Sequence, residues 1–501
     1  MKKKWMSGIL AACTAVATIA GSGCIPVMAD DPDEVTVRFM CFGTVPTDLE
    51  MVQDAINEIT IPEINVKVNY ESISAANYST QLALDMTSGE KVDVFYNFDF
   101  TNSVMNNQLL DLTELLPEYA PDLIDATTEK WLEATTVDGK IYGIPIVNGK
   151  AASLCVAMRK DILEKYNIDV NLETSEDIDD DSADITLDEL ARIYGIVKEN
   201  EPEMIDLCMG GVGTLNLEQM INYDNLTDMT GVLMGNEGYE VVDLYETDQF
   251  KKVINTLRDW YLAGYIKSDI ATDTESYLSY ASAGRMFSVM LATDETIANQ
   301  LQKDSGYEYV AYRIKTPLIT SNTLNGNCWS VSSTTDVPEA AVKFLNLAYS
   351  NKDLANLMCY GVEGTHWEYQ EDGTVNYPEG VDSTTSGYPM TTYWEMPNSL
   401  VASVTAGNDP GYNEQLIQEN KEAKTSRALG FSFDSSSVQT EISAISAVGS
   451  QYMTGFLTGS MDIDENYDKF IADLKSAGID TVIAEKQRQL DEWCAEQGIT
   501  E

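Results

Sequence analysis

The chain has 501 residues, enough for two or more domains with full cores. Its 44% hydrophobic and 22% charged residues are globular values, and 81 acidic against 31 basic residues leave a formal net charge of −50. That excess excludes nucleic acid as a partner, because phosphate binding needs a basic face, and it disfavours electrostatic docking on anionic lipid.

In chain order, Lys2, Lys3 and Lys4 precede an apolar run from Ile9 to Ala20, the length of a secretory signal core and too short to cross a membrane. Two exits stay open. Residues 1–29 form a signal peptide cut after Val27-Met28-Ala29, or residues 1–23 are removed and Cys24 is lipidated, since Gly21-Ser22-Gly23-Cys24 resembles a lipoprotein box. Either exit predicts an extracellular protein, secreted or tethered to the outer face of the membrane. Beyond Cys13 and Cys24, six cysteines are widely spaced without a CxxC and read as buried thiols, with disulfide pairing left open.

Val35, Val37 and Phe39 alternate as a first strand, and the loop Phe42 to Val45 follows. Thr47 and Glu50 predict a capping box, and Leu49, Val52, Ile56 and Ile59 share one helical face that Pro62 closes. Val66, Val68 and Tyr70 form a second strand. A helix from Tyr78 to Ser88 ends at Gly89, and Val92 to Phe98 is a third, mostly buried strand. This alternation predicts a parallel sheet wrapped by helices, with ligands at the carboxyl ends of its strands, at the loops Phe42 to Val45 and Asn97 to Asn102. Lys140 to Pro145 and Ala151 to Met158 are strands, and Arg159 opens a helix, so 138–166 reads as the passage from one lobe to another. Helices beginning near Thr186 and Phe250, and strands Met286 to Leu291 and Tyr307 to Ile314, follow.

Gly139-Lys140, Tyr142-Gly143 and Pro145, followed by Arg159, Lys160-Asp161, Leu163 and Lys165-Tyr166, resemble the matching segment of extracellular solute-binding proteins of ABC importers, the family that includes the maltose-binding protein. Ala283-Gly284-Arg285-Met286-Phe287 resembles that family's second crossing between lobes, and Asn325 to Val331 a third. The resemblance implies an α/β, two-lobed periplasmic-binding-protein-like fold of type II, each lobe a mostly parallel sheet flanked by helices, with three interlobe crossings. It implies lobe 1 at 30–147 plus about 290–328, lobe 2 at 148–289 plus about 329–400, and a mainly helical C-terminal extension at 401–501. Gly361-Val362-Glu363-Gly364, Asn376 to Gly380, Ala428 to Asp434 and Ala484-Glu485-Lys486-Gln487 resemble a subgroup of lipoproteins paired with importers for complex sugars. That implies an oligosaccharide ligand, importer membrane subunits as partners, a monomer, no cofactor, and a lipid tether at Cys24.

The catalytic motifs are thin. Gly326-Asn327-Cys328-Trp329-Ser330 resembles the nucleophile segment of papain-like proteases, but the single histidine, His366, lies close by in sequence and in a polar loop. The segment is read instead as a hinge strand with a buried thiol and one aromatic facing a cleft. One histidine and scattered cysteines argue against zinc. Asp177, Asp179 and Asp181 alternate as in a calcium loop, with Ser182 where glycine is needed; Asp462, Asp464 and Asn466 do so with Tyr467 there. They read as a solvated loop and a helix start, so no metal is expected. Two carboxylates suffice for a glycosidase, which keeps a secreted carbohydrate-active enzyme as the alternative, beside a surface sensor or adhesin.

Sugar recognition is the positive case, because aromatic rings stack on sugar faces while amides, carboxylates and amines bond the hydroxyls. The predicted ligand-binding set is Tyr96, Asn97 and Asp99 after the third strand, Asn148 and Lys150 at the first crossing, Asn325, Asn327 and Trp329 at the third, and Trp394 as a platform on the second lobe.

Overall fold

The alternation at Val35, Val37 and Phe39 makes β1 (Val35–Gly43), which buries Val37 and Phe39 completely. Helix α1 (Leu49–Ile64), β2 (Val66–Ser74), α2 (Tyr78–Ser88) and β3 (Val94–Asn97) follow in βαβ order, with β2 and β3 both parallel to β1. Gly89, at φ 79°, stops α2. The expected capping box of α1 is absent: Asp48 stands at its N-terminus without a side-chain cap bond, and its carboxylate meets His366 Nε2 at 3.2 Å. The computed structural model describes residues 34–43, 45–151, 153–172, 184–209, 220–221, 223–226, 230–233, 238–315, 318–390 and 393–499. The signal segment, Cys24 and the acidic loop around Asp177 lie outside the described residues. No helix among them is long and apolar enough to cross a membrane.

After β4 (Ile144–Pro145) the chain enters a second sheet. Its elements are β5 (Ser153–Arg159), α3 (Leu187–Asn200) and β6 (Ile205–Cys208). Short strands β7 (Tyr223–Asp224), β8 (Thr230–Leu233) and β9 (Val242–Asp243) form a small antiparallel sheet beside it. Helix α4 (Asp248–Ala263), β10 (Met286–Thr293) and β11 (Tyr309–Arg313) complete this part. As expected, Thr186 caps α3 by accepting from the Glu189 N–H, and Gly264 ends α4.

The chain then returns through β12 (Leu318–Ile319) to β13 (Cys328–Val331), helix α5 (Pro338–Ser350) and helix α6 (Tyr412–Glu422). It leaves again through β14 (Lys424–Thr425) to three helices: α7 (Gln439–Leu457), α8 (Ile463–Ala477) and α9 (Ile479–Glu496). The first sheet has the order β2-β1-β3-β13-β4, and the second β11-β5-β10-β6. The fold is the expected two-lobed α/β arrangement, but its sheets are mixed. Only β1, β2 and β3 run parallel in the first; β13 enters straight from the other lobe, at their carboxyl ends, and so pairs antiparallel to β3 and β4.

Two expected boundaries are corrected. Residues 286–313 belong to the second sheet, where β10 and β11 both pair with β5, so the step at Gly284 is a turn within the second lobe and no crossing. Residues 328–402 belong to the first lobe, whose core holds Trp329, Phe344, Tyr388 and Leu400. The passages are therefore 146–152, 314–327 and 423–430, the last two joined where β12 and β14 pair in parallel, Leu318 with Lys424 and Ile319 with Thr425. Nor is the C-terminal stretch an extension. Phe456, Phe470, Leu474 and Ile479 share the second core with Tyr194, Phe250, Trp260 and Phe287.

Trp329 is the centre of the first core. It stacks on Phe39 at 4.5 Å and meets Tyr96 edge-on at 5.5 Å, and Phe39 meets Phe344 at 5.1 Å. Its indole N–H donates to the Glu395 carbonyl at 3.1 Å. The Glu395 side chain is buried beside it, and that burial pushes its carboxyl up to about 8; burial pushes Asp206 and Asp243 of the second lobe up to about 7.

Two outcomes follow from this packing. Trp329→Ala removes a fully buried indole and is expected to destabilise the protein by about 3–5 kcal/mol in denaturant unfolding. Because Glu395 holds its proton in the folded state above its unfolded pKa, the folded state binds more protons between about pH 4.5 and pH 8. Stability therefore falls as pH rises through that window, by at most about 1.4 kcal/mol per pH unit for this group. Unfolding of Glu395→Gln measured from pH 5 to pH 8 is expected to show a shallower fall than the parent; an equal fall refutes the buried acid.

Candidate functional site

The carboxyl ends of β1 and β3 carry Phe42 and Phe98, and the short turn Tyr393–Glu395 brings Trp394 beside them. Phe42 meets Phe98 edge-on at 4.6 Å and Trp394 at 5.8 Å, while Tyr96 meets Trp394 at 6.3 Å. Phe98 and Trp394 each keep 40% of their surface exposed. Edge contacts on one side fix the ring orientations and leave apolar surface open on the other. Trp394 is held by its backbone: its carbonyl accepts from Asn148 Nδ2 at 3.0 Å, and the next carbonyl is the one that Trp329 bonds. Trp394 thus belongs to the first lobe, opposite to the expected assignment.

Beside this wall, a cavity of about 240 Å³ lies between the lobes. Phe98, Asp99, Thr101 and Asn102 line it from the first lobe, Asn322 and Asn325 from the second passage, and Phe433, Ser435 and Ile442 from the C-terminal stretch. Asp99 is exposed and accepts both of its bonds from Asn102 Nδ2, at 2.9 and 3.0 Å. The amide of Asn325 donates to the Ala134 carbonyl at 2.9 Å, which fixes the residue in the cavity wall.

The predicted residues divide by these contacts. Asp99 and Asn325 meet in one cavity, and Asn148 and Trp394 meet in one hydrogen bond. Tyr96 and Trp329 are corrected: both are 0% exposed, because a strand at the middle of a sheet covered by α5 turns those positions into the core. Asn97 is also buried; it donates to Ser330 Oγ at 3.2 Å and accepts from the Asp99 N–H at 2.9 Å, so it ties the loop to β13. Lys150 is nearly buried in the first passage, and burial brings its ammonium down to about 8. Asn327 is half-buried at the end of the second passage. Sequence reasoning passed over Phe98, although it lies two residues beyond Tyr96, on the same side of the extended chain, in a loop already placed at the site. Ser435 and Ile442 carried no signal, being over 300 residues away in sequence.

The thiol reading fails on geometry. Cys328 is fully buried, which pushes its thiol up to about 12, and its neighbour is Ser330 Oγ at 3.9 Å. His366 is committed elsewhere: its Nδ1 accepts from the Val362 N–H at 2.9 Å, and its Nε2 faces Asp48. Asp462 caps α8 through the Glu465 N–H, the helix start expected of it. Among the described residues no group of three or more acidic, histidine or cysteine side chains is placed to hold a metal ion.

Comparisons with known proteins agree with this geometry. The family model for bacterial extracellular solute-binding protein matches residues 52–355, and one described as a domain of unknown function (DUF3502) matches 427–495. A carbohydrate ABC transporter substrate-binding protein of Streptococcus pneumoniae serotype 4 is 27% identical over 509 residues, 98% of this chain and 99% of its own. The crystal structure of an N-glycan transport solute binding protein (NgtS) from Streptococcus pneumoniae is 26% identical with a TM-score of 0.80, covering 92% of this chain and 100% of that one. The same protein in complex with Man5GlcNAc gives a TM-score of 0.68 at 26% identity, over 92% and 99% of the two chains. With two sheets joined by three passages, a cavity between them and a family match over more than half of its length, the chain belongs to the bacterial extracellular solute-binding protein family.

Proposed function

We propose that the protein is the extracellular receptor of an ABC importer, which captures an oligosaccharide by closing its two lobes and delivers it to the importer's membrane subunits. The observation that carries this reading is the pair Phe98 and Trp394, held edge-on against Phe42 at the strand ends of the first lobe and each still 40% exposed. Such rings suit the apolar faces of sugars, and the amides and carboxylate beside them suit hydroxyls. Similarity to a carbohydrate transporter's binding protein and to an N-glycan-binding one supports the ligand class.

In this mechanism no bond is made or broken in the ligand. Sugar stacks on Phe98 and Trp394, Asp99 and Asn325 bond its hydroxyls, and the lobes rotate about the three passages. Only the closed form contacts the ligand from both lobes, so ligand shifts the population toward it. Lys150 and Asn327, on the passages, come within reach of hydroxyls as the cleft shuts. Residues 1–23 serve as the export signal, and Cys24 carries the lipid that keeps the receptor beside its importer.

Thermal unfolding of the mature protein against a panel of mono- and oligosaccharides tests the reading. A bound sugar is expected to add roughly 2.7 kcal/mol at a hundredfold excess over its Kd, with the sugar intact by chromatography. Degraded sugar means an enzyme instead. Trp394→Ala is expected to weaken the best ligand by about ten- to a hundredfold while leaving the free protein's midpoint near the parent's, unlike Trp329→Ala. For the anchor, mass spectrometry of protein taken from bacterial membranes is expected to find a chain starting at acylated Cys24, and an unmodified start at Asp30 refutes it.

A further inference from the structure

The C-terminal stretch 427–495 matches a family model to which no function is attached, and two observations point to one. First, the stretch is built into the second lobe. Phe431, Phe433 and Val438 share a cluster with Leu226 and Val232 of the small antiparallel sheet. The fully buried Lys486 of α9 locks that union: its ammonium donates to the Leu226 carbonyl at 3.0 Å and the Thr230 carbonyl at 2.7 Å, and lies 4.8 Å from the centre of the Phe433 ring. Segment 433–442 is therefore set rigidly on the second lobe and must move with it.

Second, that same segment faces the first lobe across the cavity, Ser435 and Ile442 on one side and Asp99 and Asn102 on the other. At about 240 Å³ the cavity is smaller than the roughly 300 Å³ at which pockets for whole ligands begin, so it suits one ring of a longer chain. Its lining holds one carboxylate, three asparagine amides and two hydroxyl-bearing residues, with Phe98, Phe100, Phe433 and Ile442 as the apolar surface, and no lysine or arginine. A ring bearing its own carboxylate would meet Asp99 in a half-enclosed space without a cation to offset the repulsion.

We propose that the 427–495 stretch is the second wall of the ligand cleft, and that its Ser435 and Ile442 close on one uncharged sugar ring held from the first lobe by Asp99 and Asn102. The inference rests on the oligosaccharide-receptor reading and gives the C-terminal stretch its part in it. The reach of that wall is set by β14, which joins the stretch to α6 of the first lobe through the hinge ribbon.

The test is calorimetric titration of the full mature chain with Man5GlcNAc as the neutral probe and an oligo-uronate of similar length as the charged one. Ser435→Trp and Ile442→Trp fill the cavity and are expected to weaken Man5GlcNAc tenfold or more. Ser443→Trp, on the exposed side of α7, is the control and is expected to bind as the parent does. Where a tryptophan lowers the free protein's unfolding midpoint, Ser435→Asp replaces it, adding a second carboxylate opposite Asp99 with little bulk, and the same loss is expected. If the parent binds Man5GlcNAc and every cavity variant binds it equally well, the wall is wrong while the receptor reading stands. Tighter binding of the oligo-uronate than of Man5GlcNAc overturns the uncharged ring. A parent that binds neither Man5GlcNAc nor any neutral oligosaccharide overturns both readings together.

Discussion

Asn420 of α6 holds the hinge on which the rest of the molecule depends. Its side-chain oxygen accepts from the Ala151 N–H at 2.8 Å, and its amide donates to the Asn148 carbonyl at 2.8 Å, so one side chain reproduces a strand's bonds to the first passage between lobes. Unmade, those two buried backbone groups would cost about 1–3 kcal/mol each. The same helix reaches both lobes. Its Asn413 donates to the Leu400 and Ala402 carbonyls of the first, while Tyr412 donates to Asp294 at 2.6 Å and Glu419 pairs with Arg313 of the second at 3.0 Å. Helix α6 is a strut across the hinge, and any motion of the lobes must turn about it and about the paired strands β12 and β14.

A chain that crosses three times between two cores has to spend polar groups on the crossings, and this explains the fate of several residues expected to bind ligand. Asn148, Asn97 and Asn325 all have amides, as sugar recognition requires, yet each gives at least one bond to the protein. Asn148 and Asn97 position other residues, while Asn325, fixed by its bond to the Ala134 carbonyl, lines the cavity. Asn148 holds the backbone of Trp394. The aromatic residues divide similarly. Trp329 and Tyr96 form the rigid base, Phe42 lies at its edge, and Phe98 and Trp394 present their surface to the cleft. The edge contacts of Phe98 and Trp394 with Phe42 order those two rings in advance.

The excess of acidic residues acts at long range. With a net charge of −50 the surface repels copies of itself and anionic polymers. Few of those charges reach the cleft, where Asp99 is the one carboxylate in the cavity lining. Buried acids are handled differently: desolvation raises Glu395 to about 8 and Asp206 and Asp243 to about 7, so at neutral pH each carries less charge than an exposed carboxylate.

By itself the sequence determined what is local. Alternation at Val35 to Phe39, the helix start at Thr186 and the stop at Gly89 each rest on contacts within a few residues, and each is found where spacing predicts it. The family resemblance at 138–166 was legible for the same reason, since it sits on one continuous segment. Only the tertiary structure decided which sheet a buried strand joins. β10 and β13 are both largely apolar, and either lobe's interior would accept them; the choice follows from register with β5 or β3, residues that lie far away in the chain. The same limit separated Trp329 from Trp394. An indole pays off as core or as platform according to whether a helix covers it, and α5 covers one while the cleft leaves the other open. Likewise nothing near Ser435 announces a cleft, because its partners across the cavity, Asp99 and Asn102, are brought to it solely by the way the two lobes meet.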